Sequence, residues 1–86
     1  MFRGKIKKQE NIIWSWYENE QENEWPSKRV MSALKWFARH QKFADYGYQG
    51  DWRERLEYCS DRMNGGRAKS ILRLIKRAKK LQKSKN

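Results

Sequence analysis

Residues 67–85 read RAKSILRLIKRAKKLQKSK, a run with nine basic side chains and no acidic one. Ile71, Leu74, Ile75, Ala78 and Leu81 recur at the three-and-four spacing that lines up one face of an α-helix. Lys69, Arg73, Lys76, Lys80 and Lys83 repeat the same spacing on another face. The run therefore predicts a helix with an apolar stripe for packing and a cationic stripe for something negatively charged. The apolar stripe stops at Leu81, so the helix is expected over 67–83, with 84–86 as a frayed tail.

Immediately before this run, Asn64-Gly65-Gly66 reads as a helix stop, because glycine just past a last turn adopts the left-handed closing conformation. The helix it closes is expected over 51–64. Asp51 and Glu54 in DWRE have capping-box spacing, and Trp52, Leu56, Cys59 and Met63 share the apolar face. The link 44–50, ADYGYQG, carries turn glycines Gly47 and Gly50. Tyr46 and Tyr48 flank Gly47, and either fold back on the domain or offer ring faces for stacking.

Further back, residues 28–43 read KRVMSALKWFARHQKF. Val30, Leu34, Phe37 and Gln41 form one face, with Ala33, Trp36, His40 and Phe43 beside it, so a central helix is expected over 27–43 with Ser27 as N-cap. Lys28, Lys35, Arg39 and Lys42 are spaced to form a second basic stripe. The residue before a proline is pushed out of helical geometry, so Trp25-Pro26 marks the boundary with the preceding element.

That first element is expected as a helix over 9–24, with Ile13, Trp16, Tyr17 and Glu20 on one face, although IIWSWY is also rich in strand formers. Glu18, Glu20, Glu22 and Glu24 crowd its end. Carboxylates there oppose the helix dipole and repel one another, so they read as an acidic rim seeking positive neighbours rather than as a catalytic cluster. Residues 1–8, MFRGKIKK, are expected as a basic flexible arm.

The fold class implied is all-α: one small domain of 86 residues, a bundle or orthogonal array of about four helices with a basic C-terminal helix. Five Trp, four Tyr and three Phe give so short a chain a bulky core. No apolar run approaches the length that spans a bilayer. The single cysteine, Cys59, has no internal disulfide partner and fits a reducing compartment. With no signal-peptide pattern, the expected location is the cytoplasm, that of a host cell if the protein is viral.

Catalytic and metal chemistry find little footing in the chain. His40 and Cys59 are the sole residues of their kinds, which removes the usual zinc spacings, and both sit on otherwise apolar faces. Gly65-Gly66 is followed by RAKS rather than a P-loop pattern. No enzyme activity, metal or cofactor is expected.

Charge is the positive signal. The net charge is +11, and most of the excess lies in residues 27–50 and 65–86. One-signed faces on two helices favour a nucleic acid, DNA or RNA, as partner. The expected phosphate-contacting residues are Lys28, Lys35, Arg39, Lys42, Arg67, Lys69, Arg73, Lys76, Arg77, Lys80 and Lys83. A sharper version treats 51–64, the NGG turn and 67–83 as a helix-turn-helix, with Arg67, Lys69, Ser70 and Arg73 reading a groove. The alternative is a small inhibitor or adaptor, for example virus-encoded, whose basic and tryptophan-rich faces bind an acidic protein surface. Membrane-surface binding is the weakest reading, because the stripe is aliphatic and the tryptophans lie elsewhere. If nucleic acid is the ligand, the two basic stripes should face the same side.

Overall fold

The computed structural model describes residues 2–45 and 47–84, with side chains over 4–45 and 47–83. Four helices account for most of it: α1 (Phe2–Asn19), α2 (Lys28–His40), α3 (Trp52–Cys59) and α4 (Gly65–Ser84). No strand occurs among the described residues, so the fold is all-α, and the strand-forming IIWSWY lies inside α1. The radius of gyration is 12.5 Å, close to the ~12 Å expected of a compact chain of this length.

The first helix begins far earlier than its expected start at residue 9. Residues 2–8, expected as a flexible arm, are its first two turns. The cause is visible in the spacing: Ile6 stands seven residues before Ile13, and it packs half-buried against the core formed by Ile12, Ile13 and Trp16. At the other end α1 stops at Asn19 rather than 24, and the acidic run becomes a turn. Arg53 of α3 holds that turn, donating from Nη1 to the carbonyls of Gln21 and Asn23 and from Nη2 to Glu24. The positive neighbour thus meets backbone oxygens of the rim rather than its carboxylates, and comes from α3 rather than from a basic helix. Of the rim carboxylates, Glu20 accepts from the backbone N–H and hydroxyl of Ser27, and Glu24 accepts from the Gln82 amide.

Ser27 caps α2 as expected, its Oγ accepting from the Val30 N–H at 3.3 Å. The helix buries Val30, Ala33, Leu34 and Phe37, then ends at His40 instead of 43. Two residues assigned to its apolar side leave the core. Phe43 lies beyond the helix and is 56% exposed. His40 is exposed, stacks on Trp36 at 4.8 Å and places Nδ1 3.1 Å from the Trp36 carbonyl.

Asp51 caps α3 by accepting from the Arg53 N–H, and Trp52, Leu56 and Cys59 face inward. This helix closes at Cys59, five residues short of expectation, and residues 60–64 form the turn. Asn64 then opens α4: its side chain accepts from the Arg67 N–H at 2.9 Å and its carbonyl from Ala68. The two glycines thus start a helix rather than stop one. Gly47 alone among the described residues has positive φ. Gly65 is required for a different reason, since a Cβ there would lie 1.3 Å from the Gln41 carbonyl oxygen.

That close approach sets the assembly. Gly65 abuts Gln41 and Phe37 at one end of the pair. Met31 and Lys35 meet Leu72, Ile75 and Lys76 in the middle, and Trp25 meets Lys79 at the far end. Helices α2 and α4 therefore run antiparallel along one seam. Helix α1 packs on α2 and α3 on α4, and the Trp16 and Trp52 rings, 6.1 Å apart, close the other side. The frayed tail expected at 84–86 begins on the last helical residue, Ser84, and its other two residues lie outside the described ones, as does Tyr46.

Candidate nucleic-acid interface

On α2, Lys28, Lys35 and Arg39 are exposed on the side opposite Val30, Leu34 and Phe37, and Lys42 is exposed just past the helix end. On α4, Lys69, Lys76, Lys80 and Lys83 are exposed opposite Ala68, Ile71 and Ile75. The two stripes meet at Lys35 and Lys76. Lys35 from α2 and Lys76 and Lys79 from α4 rim a depression of about 320 Å³ whose apolar floor is Met31, Leu72 and Ile75. Neither helix contains an acidic residue. The acids lie on α1 and the turn after it, on and around α3, and at Asp45 in the link.

The remaining expected residues are placed differently. Arg73 is exposed but forms an ion pair with Asp45 through both terminal guanidinium nitrogens, Nη1 and Nη2. Arg77 is exposed on the flank of α4, where it lines a depression with Gln49, Gly50 and Asp51. Arg67 is half-buried and donates from Nη1 to the Arg62 carbonyl at 2.6 Å, so it turns toward the 60–64 turn. Ser70 is fully buried.

These positions undo the groove-reading outline of a helix-turn-helix. A recognition helix exposes its first turns to base edges. Here the start of α4 is pressed against the end of α2, Ser70 lies in the core and Arg67 and Arg73 are engaged within the chain. Apart from Lys69, what remains exposed runs along the middle and C-terminal half of α4, a pattern suited to phosphates.

Lys79 escaped the sequence reading because it falls between the two faces assigned to α4. Its signal was present, three residues after Lys76 and four before Lys83. In the structure its Nζ lies 5.3 Å from the Trp25 ring centroid, which places a cation and an aromatic ring together at the end of the seam. Trp25 is half-buried and stacks on Trp52 at 6.0 Å, Trp36 is half-buried, and Trp14 is 40% exposed.

Cys59 is buried, and burial pushes its thiol pKa up against the opposing pull of Arg55, Arg67 and Arg62. A nucleophilic thiol needs the reverse shift. Among the described residues no group of three or more His, Cys, Asp or Glu side chains is arranged to hold a metal ion, and no helix is long and apolar enough to cross a membrane. No family model, curated protein or solved structure matches the chain.

Proposed function

We propose that the protein is a non-catalytic nucleic-acid-binding protein that lays the α2–α4 seam on a phosphate backbone. The observation that carries this reading is the adjoining of two acid-free cationic helix faces along one seam. A surface face that serves only solubility mixes signs, because like charges at helical spacing repel. Here seven cations, Lys28, Lys35, Arg39, Lys69, Lys76, Lys80 and Lys83, are exposed together on two neighbouring helices. Binding to phosphates releases condensed counterions, and that release supplies affinity independent of sequence.

The test is a titration against labelled duplex DNA, single strands and structured RNA at two salt concentrations. Binding that weakens steeply with salt is expected, and absence of binding to all three at low salt overturns the proposal. Replacing Lys69, Lys76, Lys80 and Lys83 by Gln lowers affinity by about tenfold or more while leaving the helical signal and melting temperature intact.

A second reading draws on the apolar floor of the seam. Met31, Leu72 and Ile75 ringed by lysines also suit an acidic amphipathic segment of a protein, the adaptor or inhibitor alternative. Recovery of one acidic protein in fixed ratio, unaffected by nuclease, favours that reading.

A further inference from the structure

We propose that the cleft between Trp25 and the last turns of α4 receives an unpaired base of the bound nucleic acid. This inference rests on the nucleic-acid reading above and adds a base-binding site to its phosphate-binding face. The cleft measures about 410 Å³, and its walls are Trp25, Trp52, Ala78 and Leu81, with Glu24, Arg53 and Gln82 at the rim. Mostly apolar walls with a few polar groups at the edge are what small planar ligands occupy.

Three observations point to a nucleobase in particular. The ring of Trp25 is half-buried, and Lys79, an exposed ammonium, sits over it. A base stacking there displaces that ammonium, which stands between Lys76 and Lys83 along α4 and is then available to the adjacent phosphate. Aromatic rings set beside a cationic track are the usual means of holding single strands. The Glu24 carboxylate and Gln82 amide, joined at 2.8 Å, supply an acceptor and a donor of the kind that base edges pair with. Of the other exposed aromatics, Trp14 and Tyr58 line a depression with Glu57, Asp61 and Arg62 that includes no lysine of α4, and Phe43 lies past the end of α2.

The experiment follows tryptophan emission while the full chain is titrated at low salt with an oligothymidylate and, separately, with a duplex of equal length. The single strand should quench the emission, and Trp25→Phe should remove most of that quenching. Trp25→Ala is expected to weaken single-strand binding by about tenfold, with a smaller effect on duplex. Because Trp25 also packs on Trp52, Ala78→Met serves as the second variant: it fills the cleft, leaves both rings in place and should give the same loss. Single-strand binding without quenching, or with Ala78→Met unchanged, overturns the cleft and leaves the proposed function standing. Binding of neither oligonucleotide overturns both. If polyglutamate alone shifts the emission, the cleft belongs to an acidic polypeptide and the inference falls.

Discussion

Gly65 is the residue on which the packing of the two cationic helices depends. A methyl group there would meet the Gln41 carbonyl oxygen at 1.3 Å and the Phe37 carbonyl at 3.0 Å, and both are backbone atoms that cannot step aside. Gly65→Ala should therefore push α4 off α2 and destabilise the fold by more than ~3 kcal/mol in urea unfolding. Gly4 provides the contrast, because nothing lies within 4 Å of the Cβ it would gain in α1. Gly4→Ala should stabilise by up to about 1 kcal/mol. Equal effects from the two substitutions would show that the approach of the helix ends is not what makes glycine necessary. Arg53 is the second residue of this kind, since one guanidinium satisfies three carbonyls of the turn after α1. Arg53→Ala should lower stability by about 2 kcal/mol, and Arg53→Lys should restore little of it, because an ammonium lacks the planar fork that spans several acceptors. Full rescue by lysine in a thermal melt would mean that charge alone holds the turn.

At the scale of elements, the sequence announces apolar faces more clearly than helix ends. The α4 stripe of Ile71, Leu74 and Ile75 and the α2 stripe of Val30, Leu34 and Phe37 are buried as their spacing requires. The caps Ser27 and Asp51 are legible too, because a side-chain oxygen at the right offset satisfies a free N–H whatever the tertiary context. The ends that went astray depend on contacts far along the chain. The turn after α1 is held by an arginine about thirty residues later, and Gly65-Gly66 read as a stop because the carbonyl that excludes a side chain belongs to α2. The first turns of α1 were legible in principle through Ile6 and Ile13, but the charges between them pointed to a solvated arm. Ser70 carries the same lesson into the site. Its neighbours Lys69 and Arg73 made it look like a surface residue, yet its hydroxyl is buried among the described residues with no hydrogen-bond partner. Ser70→Ala should accordingly be neutral or stabilising in denaturant and leave nucleic-acid affinity unchanged. A loss of affinity with the fold intact would return Ser70 to the binding surface.

For the whole molecule, the central fact is that acidic residues are kept off one helix pair, α2 and α4. Helices α2 and α4 carry cations and no acid, whereas α1 mixes four basic with two acidic residues and α3 two with two, so the one-signed face that draws a polyanion belongs to the α2–α4 side. Sorting of this kind was half legible: the segment charges are in the sequence, but whether the α2 and α4 stripes meet depends on the antiparallel seam set by Gly65, Met31, Leu72 and Lys79. The seam yields a quantitative expectation. If both stripes touch the same backbone, each phosphate contact removed lowers the slope of log affinity against log salt by about 0.9 on duplex DNA. Lys28→Gln with Lys35→Gln should then reduce the slope as much as Lys76→Gln with Lys80→Gln does, because each pair removes two cations from one surface. Arg62→Gln, made beside Asp61 on the α3 side, should leave the slope unchanged while removing an equal charge per site. If the α2 pair has no effect and the α4 pair does, the ligand lies along α4 alone. If all three variants change the slope in proportion to charge removed, net charge rather than the seam governs binding, and the sorted surface has no part in orienting the ligand.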